Sequence, residues 1–103
     1  MFANSRGAIL IERERMRQLN EEGFTPDHDK QWGNGQLTKA AICYLYTAMQ
    51  IMFPVWMWPF GANWYKPGSG YEKTLVKAGA LIAAEIDRAN YARQGDLGPH
   101  GKI

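Results

Sequence analysis

The apolar residues between positions 36 and 52 recur at helical spacing, and this repeat constrains the fold more strongly than any other feature of the chain. They stand at i, i+3, i+4 and i+7, which places them on one face of an α-helix. The residues of this stripe are Leu37, Ala40, Ala41, Tyr44, Leu45, Ala48, Met49 and Met52. Ile42, Cys43 and Ile51 widen the apolar arc, so we expect a helix over 36–52 that is buried on more than one side.

Residues 71–93 predict a second long helix. Its apolar stripe consists of Leu75, Ala78, Gly79, Ile82, Ala83 and Ile86. A glycine inside a helix costs about 1 kcal/mol relative to alanine, so close approach of a neighbouring element is a physical reason for Gly79. We expect this helix and the helix over 36–52 to form the core.

Residues 5–22 predict a charged helix that crosses this pair. Oppositely charged side chains stand three residues apart in it, which stabilises a helix. These pairs are Glu12–Arg15 and Glu14–Arg17. Such a run of mixed charge is typical of a solvated helix face.

A fourth, short helix is expected after residue 25. Thr25 can cap its start, Pro26 suits the first helical position, and Gly33 breaks it soon afterwards. The chain is therefore predicted to be all-α, with three longer helices plus one short helix and a long aromatic, Pro- and Gly-rich loop over one end. We expect one helical domain over 1–93 and a flexible tail over 94–103.

Length and composition exclude several classes of protein. The 103 residues allow one domain, and its core is small enough that we expect a homo-oligomer. The net charge of +2 is too low for a typical nucleic-acid-binding protein. No apolar run approaches the roughly 18 residues of a membrane span, and the N-terminus lacks a signal-peptide pattern. With one unpaired thiol, Cys43, the chain is expected in a reducing cytoplasm and not at a membrane.

The residues offer little for catalysis or metal binding. Cys43 lies in the middle of an apolar stripe and is interpreted as a core thiol. His28 and Asp29 could form an acid–base pair, or His28 could bond locally in the first turn of the short helix. Asp27, His28 and Asp29 are a weak metal-ligand set, because the pattern also occurs in helix capping. We therefore expect a non-catalytic protein with no cofactor and no metal.

The segment 53–70 differs in kind from the helices. Three prolines and three glycines interrupt it, so it cannot form a continuous helix. Its aromatic residues could stack on nucleobases while a neighbouring lysine holds phosphate. Alternatively, Trp58 and Phe60 could form a small apolar core over the helix ends.

Several motifs resemble those of a family of small phage and prophage proteins. They run in order over roughly residues 9 to 88. The matching pieces are His28-Asp29-Lys30-Gln31-Trp32, Leu37 with Ala40-Ala41 and Tyr44, Trp58-Pro59-Phe60, Trp64-Tyr65-Lys66-Pro67, and the segment from Leu75 to Arg88. That family has no assigned chemistry. The resemblance implies a phage-encoded accessory protein made inside an infected bacterium.

These observations lead to two hypotheses for the function. In the first, the chain binds and sequesters a small anionic nucleotide that signals in host defence, such as a cyclic nucleotide or an ADP-ribose derivative. The expected ligand-binding residues are His28, Trp32, Trp58, Trp64, Tyr65, Lys66 and Lys77. Trp32 and Trp64 would stack on the base, Lys66 and Lys77 would contact phosphate near a helix N-terminus, and His28 would form a hydrogen bond with the ligand. In the second, the chain is a protein–protein interaction module or an inhibitor of a host protein, and its exposed aromatic residues form the interface.

Overall fold

The fold of the chain is seen in a computed structural model, which describes residues 5–21, 23, 33 and 35–96. Within these residues there are three α-helices, which we name α1 (Arg6–Glu21), α2 (Gln36–Ala48) and α3 (Tyr71–Asp96). The loop between α2 and α3 contains two 3-10 turns, Val55–Met57 and Ala62–Trp64, and the described part of the chain has no strand. The all-α prediction is confirmed. The expected short helix after residue 25 lies outside the described residues.

Helix α3 is the centre of the domain, and α2 packs along one side of it. Buried small and apolar side chains of the two helices form the core together. These residues are Leu37, Ala40, Ala41 and Tyr44 on α2 and Ala78, Leu81 and Ala84 on α3. The core therefore lies between the two helices that the apolar stripes indicated, as expected.

Helix α1 packs against α3 at Gly79. A Cβ atom at Gly79 would lie 2.6 Å from Cδ1 of Ile11, closer than side-chain atoms approach one another. The close approach that Gly79 predicted is therefore present, and the side chain of Ile11 makes it.

The charged face of α1 is only partly solvated, which corrects the interpretation of this helix as a solvated face. Arg15 is buried, and its Nε and Nη2 atoms lie 3.1 and 3.0 Å from Oδ2 of Asp87 on α3. Gln18 is buried as well. The sequence pattern missed this pair because the carboxylate stands 72 positions away along the chain. The predicted pair Glu14–Arg17 is confirmed at 2.8 Å.

Helix α2 ends at Ala48, so the prediction of a helix to residue 52 is wrong at its carboxyl end. Gln50 adopts a left-handed conformation with φ 59°. The amide of Gln50 donates to the carbonyl of Thr47 at 3.0 Å, and the amide of Ile51 donates to the carbonyl of Tyr46 at 2.9 Å. These two bonds form a Schellman motif, which satisfies the last carbonyls of the helix and turns the chain away. Met52 is consequently exposed, although its spacing suggested the core.

Helix α3 continues to Asp96, three residues beyond its predicted end. Single glycines are tolerated in helices at a cost of about 1 kcal/mol, and Gly95 does not stop this one. Residues 97–103, the rest of the expected flexible tail, lie outside the described residues. Ile82 and Ile86 are exposed, which corrects the expectation that they belong to the core. No helix among the described residues is both long and apolar enough to cross a membrane.

Candidate functional site

The loop between α2 and α3 folds into an aromatic cluster on the carboxyl half of α2. Tyr44 is its base, because its ring centroid lies 5.5 Å from the centroids of both Trp58 and Tyr65. The ring centroids of Trp58 and Tyr65 lie 5.0 Å apart, and the ring of Phe60 stands edge-on to that of Trp58 with a centroid distance of 5.6 Å. Trp58, Phe60 and Tyr65 pack against the helical core. This part of the loop is therefore a small apolar core, which is one of the two alternatives open from the sequence.

The polar atoms of the cluster have partners inside the protein. The hydroxyl of Tyr44 accepts a hydrogen bond from the backbone amide of Lys66 at 3.0 Å. The hydroxyls of Tyr65 and Thr47 are hydrogen-bonded to each other, and Nε1 of Trp58 donates to the carbonyl of Gly61 at 3.1 Å. Trp58 and Tyr65, both expected ligand-binding residues, therefore support the loop.

The first turns of α3 hold the end of the loop. The ammonium group of Lys77 donates to the carbonyl of Lys66 at 2.9 Å. The hydroxyl of Thr74 lies 2.9 and 2.8 Å from the carbonyl oxygens of Gly68 and Gly70. Gly68 presses against α3 so closely that a Cβ atom there would lie 2.5 Å from Cβ of Lys73. These contacts join the carboxyl end of α2, the loop and the amino end of α3 into one unit.

Trp64 and Lys66 are the predicted ligand-binding residues that present an open surface. Trp64 is 62% exposed. The ammonium group of Lys66 lies 5.8 Å from the centroid of the Trp64 ring, within the range of a cation–π contact. Lys77 lies close by through its bond to the Lys66 carbonyl. His28 and Trp32, the other two expected residues, lie outside the described residues.

A second exposed surface, which we call the apolar ridge, begins where α2 ends. It consists of Met49, Ile51, Met52, Val55 and Trp56. Met52 is 93% exposed, Val55 90% and Trp56 74%. No charged residue stands between Lys39 and Lys66, so the ridge is uncharged throughout. Sequence reasoning missed it because it assigned Met49 and Met52 to the buried stripe of α2.

The surroundings of Glu14 and Cys43 shift the pKa values of their side chains. The pKa of Glu14 lies below its ordinary value, chiefly because Arg17 donates hydrogen bonds to its carboxylate, and the charge of Lys77 adds to this effect. Burial raises the pKa of the Cys43 thiol. Cys43 is thus a buried, protonated core thiol, as the sequence predicted.

A groove of about 450 Å³ opens where the first turns of α1 and α3 meet. Its floor is apolar, with Leu10 and Ile11 on one side and Leu75 and Val76 on the other. None of the five expected ligand-binding residues that the structure describes lines it. Among the described residues there is also no group of three His, Cys, Asp or Glu side chains that could hold a metal ion, and Asp27, His28 and Asp29 lie outside that part of the chain.

Comparison of the chain with protein-family models, with curated proteins and with solved structures finds no match. The resemblance to phage and prophage proteins therefore stays a prediction that depends on the motifs alone. The candidate functions depend on two surfaces, the apolar ridge and the pair Trp64–Lys66.

Proposed function

We propose that this chain is a non-catalytic interaction module that binds another protein through the apolar ridge. The observation that carries the proposal is the exposure of five large apolar side chains within eight consecutive residues of a chain of 103. They are Met49, Ile51, Met52, Val55 and Trp56. Contiguous exposed apolar patches on small proteins mark interaction sites more often than chance. Tryptophan and methionine are also enriched in protein interfaces.

The support beneath the ridge favours binding by a preformed surface. The ridge begins within the Schellman turn at Gln50 and ends two residues before Trp58 of the aromatic cluster. A surface that is already ordered loses less conformational entropy on binding than a flexible loop does. Trp56 projects from this support and would fill a pocket of the partner as the central contact.

The charges that flank the ridge in the sequence favour a partner of opposite charge. No acidic residue occurs between Asp29 and Glu72, whereas Lys30, Lys39 and Lys66 fall within that stretch. Lys39 and Lys66 are exposed. The complementary surface is an apolar pocket with acidic side chains at its rim. Given the resemblance to phage proteins, the partner would be a protein of the infected bacterium.

The test combines cross-linking with a matched pair of variants. A photoreactive amino acid at Val55 is used to capture partners from bacterial extract, and binding to the purified captured protein is then titrated. The double variant Met52→Ser/Trp56→Ser should bind at least about tenfold more weakly, since it removes two buried contacts. Trp64→Ser changes an exposed tryptophan outside the ridge and should bind normally.

Two outcomes would overturn the proposal. One is a captured protein that binds the double ridge variant as tightly as the original chain. The other is binding of the original chain, but not of the ridge variant, to vesicles of phosphatidylethanolamine and phosphatidylglycerol with no protein captured. That result would assign the ridge to a lipid surface.

A second candidate function is sequestration of a small anionic nucleotide at Trp64 and Lys66. The observation that favours it is the position of the Lys66 ammonium group over the exposed Trp64 ring. A nucleobase could stack on the open face of such a ring while lysine contacts phosphate. Lys77 lies near enough to contribute positive charge if it exchanges its bond to the Lys66 carbonyl for a phosphate.

This candidate is tested by a thermal-shift screen with cyclic dinucleotides and ADP-ribose derivatives. A rise of several degrees with one compound, lost in both Trp64→Ala and Lys66→Ala, would support it. Trp56→Ala is the control, because it removes a tryptophan from the ridge only. No shift with any compound, or a shift that Trp64→Ala leaves intact, would refute it.

A further inference from the structure

One flank of α3 carries a row of apolar side chains that α1 and α2 leave uncovered. The row consists of Tyr71, Leu75, Ile82 and Ile86, which are spaced by four, seven and four residues. At about 100° per residue, this spacing keeps all four within a narrow sector of the helix. Ile86 is 63% exposed, Tyr71 and Ile82 are exposed, and Leu75 is half-buried.

The position of the row follows from the contacts of α3 with its neighbours. Ala78 and Leu81 belong to the core that α3 shares with α2. Gly79 and Asp87 contact α1, through Ile11 and Arg15. On the helical wheel the row lies between these two sets of residues. Among the described residues, Tyr71, Ile82 and Ile86 are exposed, and Leu75 lies beside the groove with α1.

We infer that this flank is the interface with a second copy of the same chain, in which the two α3 helices pack antiparallel. The charges at the ends of the row support a second copy as the occupant. Glu72 lies in the first turn of α3 and Arg93 in its last turn. An antiparallel pair centred between Ile82 and Ala83 sets Glu72 of each copy opposite Arg93 of the other.

The same arrangement satisfies two further requirements. The two Ile82 side chains meet at the twofold axis and the Ile86 side chains lie on either side of them, so the centre of the interface is apolar. The amino end of each α3 lies beside the carboxyl end of the other, so the helix dipoles attract. A single helix flank is a small interface, and we expect a dissociation constant in the micromolar range.

The test is the oligomeric state over a range of concentrations, measured by sedimentation equilibrium with the full chain. The original chain should pass from monomer to dimer in the micromolar range. Ile86→Glu should stay monomeric, since it places two like charges in the apolar centre. Circular dichroism and the melting temperature of the dilute monomer establish that the variant is folded. This proposal does not depend on the apolar ridge, so Met52→Ser/Trp56→Ser should dimerise normally.

A charge exchange tests the antiparallel register. Glu72→Arg and Arg93→Glu should each weaken dimerisation about tenfold, because each creates two like-charge contacts in place of two ion pairs. The double variant Glu72→Arg/Arg93→Glu should restore the original affinity. A chain that is monomeric at millimolar concentration, a dimer that persists in Ile86→Glu, or a double variant no better than the single ones would overturn the inference.

Discussion

The hydroxyl group of Tyr44 accepts a hydrogen bond of 3.0 Å from the backbone amide of Lys66. This bond joins the middle of α2 to a loop residue 22 positions later, and the carbonyl of the same lysine accepts a bond from Lys77 on α3. Both backbone groups of Lys66 are therefore held, one by each core helix. The relationship explains how a loop with three prolines and three glycines keeps one arrangement.

The first prediction concerns this bond. Tyr44→Phe keeps the aromatic ring in the cluster but leaves the Lys66 amide without its acceptor, so it should destabilise the chain by about 1–2 kcal/mol. Urea unfolding measures the change. Tyr71→Phe removes the hydroxyl of an exposed tyrosine and should have little effect. Equal stabilities of the two variants would contradict the prediction.

The second prediction concerns the contact of the loop with α3. A Cβ atom at Gly68 would lie 2.6 Å from the backbone carbon of Lys73, which cannot move without shifting the helix. Gly68→Ala should therefore destabilise the chain by about 1–3 kcal/mol. Gly61→Ala is the matched control, since its Cβ would meet its nearest neighbour at 3.7 Å. Thermal unfolding of both variants makes the comparison, and a Gly68→Ala variant as stable as Gly61→Ala would show that the contact is not tight.

The third prediction concerns the end of α2. Gln50 occupies the left-handed position of the Schellman motif, where a side chain costs about 1–2 kcal/mol and glycine does not. Because glycine loses more entropy on folding, Gln50→Gly should give a net gain of about 1 kcal/mol. Gln50→Ala keeps the strain and should be neutral. The melting temperatures of the two variants test this, and a loss of stability in Gln50→Gly would argue against the turn.

The fourth prediction concerns the dependence of stability on pH. The pKa of Glu14 is lower in the folded chain than its ordinary value of 4.5, chiefly because of its hydrogen bonds from Arg17. A carboxyl group of this kind contributes stability above its ordinary pKa, and the contribution disappears as the pH falls through the lowered value. The free energy of unfolding, measured in urea, should therefore fall as the pH is lowered below the ordinary pKa of Glu14. This fall should be smaller in Arg17→Gln than in the original chain.

Arg13→Gln is the control for this experiment. Arg13 lies on the same helix as Arg17 and is exposed. Its removal should leave the acid side of the stability profile unchanged. Identical profiles of Arg17→Gln and the original chain would show that the Glu14–Arg17 pair does not carry the effect.

The candidate site was only partly predictable from the sequence. Aromatic stacking residues beside a lysine were expected in the loop, and Trp64 and Lys66 form such a pair. For Trp58, the sequence could not distinguish a stacking residue from a member of a small apolar core. Contact with Tyr44 on α2 makes that distinction, and it depends on how the loop returns over the helix.

The apolar ridge was missed for a related reason. Met52 continues the periodic stripe of α2, so a pattern alone assigns it to the core. The left-handed conformation of Gln50 ends the helix four residues earlier than the pattern does. Glutamine is an uncommon residue at this position, and the sequence therefore carried no glycine signal for the turn.

The sequence by itself determined where α1, α2 and α3 lie and which side of α2 is buried, because both depend on local spacing of apolar side chains. On α3 it indicated Ala78 but missed the core residues Leu81 and Ala84. Only the tertiary structure decided that Arg15 is buried against Asp87, that Tyr44 holds the loop, and that Ile82 and Ile86 face outward. An apolar stripe indicates that one side of a helix is buried. It does not indicate which neighbouring element covers each part of that side, because this depends on contacts between residues far apart in the chain.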